Sequence, residues 1–180
     1  MKKQIAMVIA QQDFRDEEYF IPKAIFETAG FEIKTIGLNM GEALGFFGSV
    51  AAVDLTADKV KPDEFAAVVF IGGSGMEKLM DNKELHKLAQ AAVKQGKIVA
   101  GICIAPAILA KAGVLSGKKA TVWADEKNRA AVKILEQNGA YYIAEPVVID
   151  GKIITANGPY SARKFAEEIV KMSDRVYGFF

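Results

Sequence analysis

Cys103 is the only cysteine of this 180-residue chain, and its position suggests a nucleophile. It stands between a strand-like run, Lys97 to Ile102, and a helix-like run that opens Ile104-Ala-Pro106. A side chain on such a strand-to-helix turn is lifted clear of the sheet, and the free amides at the helix start favour a nearby anion. We therefore expect a thiol that ionises readily. The alternative is a small buried hydrophobic residue, the usual role of an unpaired intracellular cysteine.

An acidic segment, Asp13-Phe-Arg-Asp-Glu-Glu18, follows the first strand-like run. Carboxylates at the start of a helix complement its dipole, and this explains the presence of most of these acidic residues. A carboxylate close to a thiol has a second use, because it can accept and return a proton and has a raised pKa when partly buried. Glu18 lies deepest in the predicted helix, and we expect it to point inward.

The segment Gly72-Gly73-Ser74-Gly75 lets backbone amides approach a ligand, as an anion cradle or an oxyanion hole. A plain tight turn is the alternative. The spacing does not match a dinucleotide-binding signature, because counting from Gly73 reaches Lys78 where the third glycine belongs.

The only histidine, His86, lies among charged residues and off the apolar stripe of its predicted helix, so we expect a solvated surface residue. One cysteine and one histidine leave no zinc or iron–sulfur pattern and no C-x-x-C motif. The spacing of the acidic residues specifies no oxygen-ligand site either. The sequence therefore predicts no bound metal.

Composition indicates one compact soluble domain over residues 1–180, with 51% hydrophobic and 25% charged residues. A net charge of +1 disfavours nucleic acid and anionic membranes as partners. The N-terminus is interpreted as a strand and not as a signal peptide, and no apolar stretch approaches the roughly 20 residues of a spanning helix. A single cysteine excludes an internal disulfide, so we expect a cytoplasmic protein.

Strand-length apolar runs alternate with segments of helical period, which predicts a parallel sheet covered on both faces. Three strand-to-helix junctions, at residues 13–18, 71–75 and 101–105, are expected to meet at its carboxyl edge. Phe20, Ile21, Ala24, Ile25 and Thr28 share the apolar face of the first helix. The predicted strands are 4–10, 31–36, 66–71, 97–102, 120–123, 141–143 and a hairpin of 146–149 with 152–156. The predicted helices are 17–29, 81–95, one after Cys103, 125–138 and 161–177, and residues 43–55 form a small hairpin or edge excursion.

Four segments in this order resemble the ThiJ/PfpI superfamily, also called the DJ-one superfamily, over nearly the whole chain. They are residues 13–22, Gly72-Gly73, Gly101-Ile-Cys-Ile-Ala-Pro106 and residues 150–159. The resemblance implies a flavodoxin-like α/β fold, a three-layer sandwich with a mostly parallel sheet.

The resemblance also implies roles for individual residues. Cys103 would stand on a nucleophile elbow, Glu18 would hydrogen-bond its thiol, and the amides of Gly73 and Ile104 would form the oxyanion hole. PfpI-type peptidases have a histidine directly after the cysteine, oriented by a carboxylate of a neighbouring subunit. Glu77 matches that carboxylate, but the histidine position is Ile104, so ordinary peptidase chemistry lacks its base. Ala105 also replaces the usual glycine.

The arrangement is similar to that of the DJ-one branch, where a small residue follows the cysteine and Cys plus Glu suffice. Members of that branch are associated with glyoxalase or deglycase-like chemistry. We therefore expect Cys103 to attack a small carbonyl substrate, a 2-oxoaldehyde, with Glu18 as proton shuttle and with no metal or organic cofactor. The first alternative is a redox sensor or chaperone-like protein that uses an oxidisable Cys103. The second is a peptidase that uses Glu77 in an altered triad.

The resemblance implies a homodimer or a larger homo-oligomer. The pairs Phe46-Phe47 and Phe179-Phe180 are candidates for an interface, and the alternative is that they belong to the core.

Overall fold

The computed structural model describes residues 3–178. Its strands are β1 (Gln4–Val8), β2 (Gln12–Phe14), β3 (Glu32–Gly37), β4 (Gly41–Gly45), β5 (Val50–Val53), β6 (Leu55–Thr56), β7 (Ala67–Phe70), β8 (Ile98–Ile102), β9 (Lys119–Ala120), β10 (Tyr141–Tyr142), β11 (Val147–Asp150) and β12 (Ile153–Ala156). Its α-helices are α1 (Asp16–Thr28), α2 (Ser74–Glu77), α3 (Lys83–Lys94), α4 (Ala105–Lys111), α5 (Ala130–Gln137) and α6 (Ala162–Tyr177).

Seven strands form the central sheet in the order β11-β12-β8-β7-β1-β3-β6. All neighbours in it are parallel except the edge pair of β11 and β12. Successive residues of β1 pack into opposite cores, Ile5 and Met7 under α1 and α6, and Ala6 and Val8 under α3, α4 and α5. This three-layer arrangement confirms the predicted flavodoxin-like sandwich.

Strands β8, β7 and β1 are adjacent, and each runs into one of the three predicted junctions. Because the strands are parallel, their carboxyl ends lie at one edge of the sheet. The junctions that carry Glu18, Gly73 and Cys103 therefore converge, as expected. A separate three-stranded sheet of β2, β4 and β5 flanks this edge, so residues 43–55 do begin with a small hairpin.

The inward face of α1 differs from the prediction. Phe20 and Ile21 are 40% and 36% exposed, whereas Tyr19 and Phe26 are buried. The Tyr19 hydroxyl lies 2.6 Å from Thr35 Oγ1, and this buried contact holds the helix with Tyr19 and Phe26 inward. The exposed side chains leave a cavity of about 760 Å³ between α1 and α6, named here the α1–α6 groove. Its apolar members are Phe20, Ile21, Ala24, Ile25, Ala29 and Val170.

Two further predictions about elements were wrong in extent. Helix α5 begins at Ala130 instead of Asp125, because Asp125 Oδ1 accepts the amides of Lys127 at 2.8 Å and Asn128 at 2.6 Å and so forms a turn. The strand expected at 120–123 is reduced to Lys119–Ala120. The hairpin of β11 and β12 and the last helix agree with their predictions within two residues.

The two phenylalanine pairs have different outcomes. Phe46 and Phe47 are 54% and 64% exposed on the turn between β4 and β5, so neither belongs to the core. Phe179 and Phe180 lie outside the described residues. Among residues 3–178, no helix combines the length and apolar character needed to cross a membrane.

Candidate active site

Cys103 occupies a strained turn between β8 and α4. Its φ is 62°, a left-handed conformation that costs a non-glycine residue about 1–2 kcal/mol. Two hydrogen bonds hold this turn, from Cys103 N to the Ala156 carbonyl at 2.9 Å and from Trp123 N to the Cys103 carbonyl at 2.8 Å. The expected sharp strand-to-helix turn is therefore present, with its thiol presented at the carboxyl edge of the sheet.

Glu18 lies beside this thiol from the first turn of α1. Its side chain is completely buried, and Oε2 accepts a hydrogen bond from Gly72 N at 3.0 Å. The carboxyl group is within hydrogen-bonding reach of the Cys103 thiol. Oε1 makes no hydrogen bond of ordinary geometry with any residue between 3 and 178. A carboxyl with one oxygen fixed and the other unoccupied is well placed to exchange a proton with the sulfur.

The loop after β7 requires glycine at two positions. A Cβ on Gly72 would stand 2.6 Å from Cys103 Cβ and 2.6 Å from Glu18 Oε2. Gly73 has a φ of 111°, and a Cβ there would stand 2.4 Å from the Asp13 carbonyl. Only a bare backbone can pass this close to the thiol, and the loop brings the Gly73 amide to it.

The amides of Gly73 and Ile104 lie near the Cys103 sulfur and favour its charged form. They approach from two different junctions, the loop after β7 and the start of α4. Two preorganised N–H donors of this kind can hold a negative charge that develops next to the sulfur. This is the arrangement expected of an oxyanion hole.

Burial dominates the electrostatics of the pair. It raises the pKa of Glu18 to about 7, although hydrogen bonds to Cys103 and Gly72 and the charge of Arg15 act in the opposite direction. Burial, the Glu18 charge and the hydrogen bond to Glu18 raise the pKa of the Cys103 thiol above its ordinary value. The prediction of a readily ionised thiol was therefore wrong, because desolvation outweighs the stabilisation from the two amides.

A cavity of about 820 Å³ opens around the thiol. Apart from Cys103, Glu18, Gly73 and Ile104, its wall includes Arg15, Phe46, Ser74, Glu77, Trp123, Asn128, Pro146, Asn157, Pro159 and Tyr160. Sequence reasoning did not single out Arg15, Trp123 or Asn157. Arg15 stands inside the acidic segment, which was a usable signal, whereas Trp123 follows a short strand and gave none.

The other acidic residues of the first junction have structural partners. Glu17 accepts two hydrogen bonds from the Arg15 guanidinium, at 2.9 and 3.2 Å. Asp13 lies 3.5 Å from the Lys78 ammonium. Asp16 accepts the Phe47 amide at 2.9 Å and binds the Ser49 hydroxyl. Glu18 thus differs from its neighbours in facing the thiol.

Glu77 and His86 complete the predicted residues. Glu77 is exposed at the rim of the cavity, at the end of α2. His86 is half-buried on α3 and its Nε2 lies 2.8 Å from the Met80 carbonyl, so it is a surface residue that is less exposed than predicted. It does not line the cavity. Within the described part of the chain, no three His, Cys, Asp or Glu side chains group as metal ligands.

Comparison with known proteins places this geometry in a family. The model of the DJ-1/PfpI family matches residues 3–172. An uncharacterized protein of Methanocaldococcus jannaschii is 40% identical over 95% of this chain and 82% of its own length. Deglycase PfpI of Pyrococcus furiosus is 31% identical over 92% of this chain and 97% of its own length. The crystal structure of a ThiJ/PfpI domain protein from Brachyspira murdochii superimposes with a TM-score of 0.90, at 35% identity over 97% of this chain and 98% of that one.

Proposed function

The chain belongs to the DJ-1/PfpI family, and from this premise we propose that it is a cysteine-dependent enzyme acting on small reactive carbonyls. The observation that carries the proposal is the Cys103 thiol set against buried Glu18 and two backbone amides. The name deglycase, borne by the Pyrococcus furiosus relative, supports a carbonyl-directed activity. We take the substrate to be a 2-oxoaldehyde, the product a 2-hydroxy acid, and the protein to need no metal or organic cofactor.

The first step is addition of the sulfur to the aldehyde carbon. As the carbon–sulfur bond forms, the thiol proton passes to the Glu18 carboxylate, because the raised pKa of Cys103 leaves little preformed thiolate. The aldehyde oxygen gains the electron pair of its broken π bond, and the amides of Gly73 and Ile104 hold that negative charge. The oxygen then takes a proton from Glu18, which leaves a hemithioacetal on Cys103.

The second step moves a proton between the two substrate carbons. Glu18 removes the proton from the carbon bound to sulfur and returns it to the neighbouring carbon, while the hydroxyl proton of the hemithioacetal passes to the ketone oxygen. The ketone thereby becomes an alcohol, and the carbon bound to sulfur becomes a thioester carbonyl. The resulting thioester reacts with water, so that the carbon–sulfur bond breaks, the 2-hydroxy acid leaves and the thiol is restored. In sum, one 2-oxoaldehyde and one water give one 2-hydroxy acid, without any net oxidation. A carboxyl of pKa about 7 suits a group that both accepts and donates protons at neutral pH.

The two alternatives find less support in the site. A peroxide-sensing cysteine reacts as its thiolate, and burial and Glu18 both disfavour that form of Cys103. A cysteine peptidase needs an acid for the departing amine, and Ile104 stands where the histidine would be. An aldehyde has no departing amine, so addition to it requires only the groups present here.

Methylglyoxal turnover without glutathione tests the proposal. We expect the wild type to form lactate, Cys103→Ala to lose all activity, and Glu18→Gln to lose about 10²–10⁴-fold in kcat/KM. Glu136→Gln, which removes an exposed carboxylate on α5, is the control. A wild type that forms no lactate, or a Cys103→Ala variant that still does, contradicts the proposed function.

A further inference from the structure

Hydrogen bonds hold the turn between β4 and β5 against the start of α1. This turn, residues 45–49, is named here the aromatic turn. Asp16 accepts the amides of Phe47 at 2.9 Å and Ser49 at 3.3 Å and also binds the Ser49 hydroxyl. Asp16 itself is only 9% exposed. A Cβ on Gly45 would stand 2.4 Å from Asp16 Oδ1, so the carboxylate is packed directly against the turn.

The hydrogen bonds of Asp16 to the aromatic turn place Phe46 in the wall of the Cys103 cavity. Phe46 N donates to the Phe14 carbonyl at 2.9 Å, which fixes its backbone to β2. Its ring is 54% exposed and lines the cavity together with Arg15, whose guanidinium lies 5.8 Å from the ring centre. Glu17 holds that guanidinium in place. Phe47 belongs to the same turn and is 64% exposed, but it does not line the cavity.

The cavity is large for a three-carbon aldehyde. Its volume of about 820 Å³ falls within the roughly 300–1,000 Å³ that enclose drug-sized ligands. The wall beyond the thiol is rich in aromatic and apolar groups, among them Phe46, Trp123, Pro146, Pro159 and Tyr160. An aromatic or large apolar substituent would fill this space and would replace water against those side chains.

We propose that Phe46 is a specificity-determining residue that binds the substituent of the substrate, and that Asp16 is the positioning residue that places it. The inference rests on the proposed function and narrows its substrate class to 2-oxoaldehydes with an aromatic or large apolar substituent. The reaction is unchanged, since phenylglyoxal plus one water gives mandelate through the same bonds as methylglyoxal gives lactate.

Phenylglyoxal and methylglyoxal are the two substrates to compare, by initial rates on the full chain. We expect the wild type to have the larger kcat/KM with phenylglyoxal. Phe46→Ala is expected to reduce the ratio of the two kcat/KM values about fivefold, which is the size of effect that one aromatic contact gives. Leu44→Ala, which truncates an exposed apolar side chain on β4 beside the turn and outside the cavity, is expected to leave this ratio within twofold.

The role of Asp16 has its own readout. Asp16→Ala is expected to raise KM for phenylglyoxal about as much as Phe46→Ala does, with kcat changed less than KM. Asp16→Asn keeps an acceptor oxygen for the turn, so it is expected to restore most of that KM. If Asp16 had only a structural role, Asp16→Ala would lower kcat/KM for both aldehydes alike. Asp16→Asn would then not restore the KM for phenylglyoxal selectively.

The outcomes separate the inference from the function on which it rests. If the wild type converts neither aldehyde, the proposed function fails. If it converts both and Phe46→Ala leaves their ratio unchanged, only the specificity role is overturned. A ratio that changes equally in Leu44→Ala also overturns it, because the exposed hairpin would then act as a whole, as in a contact between two copies of the chain.

Discussion

Cys103 and Glu18 are two acids buried against each other, and the carboxylate disfavours ionisation of the thiol. Burial raises the pKa of both, and the negative charge of Glu18 further raises the pKa of the thiol. The thiol therefore holds its proton at neutral pH. In the proposed reaction the thiol would release this proton to Glu18 as the sulfur adds to the aldehyde, and the amides of Gly73 and Ile104 would stabilise the charge on the substrate oxygen.

The raised pKa of Glu18 predicts a stability that falls with pH. The unfolded chain releases this proton near the ordinary value of 4.5, whereas the folded protein holds it until about 7. Between these values the folded state binds more protons, so the free energy of unfolding decreases as pH rises and the loss is complete above 7. At pH 8 this loss in the free energy of unfolding is on the order of 3 kcal/mol.

Urea unfolding at pH 5 and pH 8 measures this effect. We expect Glu18→Gln to lose less stability than the wild type between the two pH values. Glu136→Gln, an exposed site, should behave as the wild type does. Equal pH dependence in the wild type and Glu18→Gln would show that Glu18 is ionised in the folded protein at pH 5, contrary to the effect of burial.

The thiol gives a second prediction at the same scale. Because Glu18 raises the pKa of Cys103 by its charge and its hydrogen bond, Glu18→Gln should lower that pKa. Iodoacetamide reacts with the thiolate, so Cys103 should be alkylated faster in Glu18→Gln than in the wild type at pH 7.5, about tenfold for each unit by which the pKa falls.

Mass spectrometry reads this reaction without ambiguity, since the chain has one cysteine. The same variant is expected to lose aldehyde turnover. Faster alkylation together with lost turnover separates proton transfer by Glu18 from simple activation of the sulfur. Slower alkylation in Glu18→Gln would mean that the carboxyl group promotes ionisation of the thiol, and the proposed first step would be wrong.

At the scale of elements, the loop after β7 brings an amide to the sulfur only because Gly73 carries no side chain. Alanine there would meet the Asp13 carbonyl at 2.4 Å and the Arg15 amide at 2.6 Å, both of them backbone atoms. Gly41 has a similar φ of 107° with nothing within 4 Å of its Cβ position, so it provides a matched control. Gly41→Ala is expected to cost about 1–2 kcal/mol of stability.

Gly73→Ala is expected to lower the free energy of unfolding by about 1–3 kcal/mol more than Gly41→Ala does, because overpacking is added to the same backbone strain. It should also abolish methylglyoxal turnover, since the Gly73 amide leaves its place beside the sulfur. Urea unfolding and lactate formation measure the two effects. Equal stability losses in the two variants would mean that the loop relaxes freely and that its close approach is not required.

Local patterns in the sequence predicted most elements and the convergence of the junctions. Alternating strands and helices define a parallel sheet, and a parallel sheet brings its carboxyl ends together, so Cys103, Glu18 and Gly73 could be grouped without coordinates. The rotation of α1 could not be predicted, because apolar residues lie on two of its faces and the Tyr19 contact with Thr35 joins separate parts of the chain.

The electrostatics of the site could not be predicted from the sequence either. The pKa of Cys103 depends on how much water surrounds the thiol, and burial results from packing between β8, α1 and the loop after β7. Phe46 reaches the cavity on a turn held by the hydrogen bonds of Asp16, which connect residues more than 30 positions apart. Spacing along the chain carries no signal for such contacts.

For the whole molecule, the α1–α6 groove is an apolar surface that the described chain leaves uncovered. Phe20 and Ile21 are among the large exposed hydrophobic residues, and they face Val170 of α6 across the groove. Arg163, Glu167 and Lys171 stand on the same helix at four-residue spacing. In a two-fold pairing of antiparallel α6 helices whose axis passes midway between Arg163 and Glu167, each Glu167 would face Arg163 of the other copy, and this register would be complementary to itself.

The groove therefore predicts that the purified protein is a homodimer or larger, and that a charge placed in the groove separates the copies. Ile21→Glu should shift sedimentation velocity toward the monomer, because an ionised carboxylate cannot be buried there without a partner. Val93→Glu makes the same change at a site of similar exposure on α3, 38% against 36%, and should leave the assembly intact. Monomeric wild-type protein, or dissociation by both variants alike, would exclude the groove as the contact between copies.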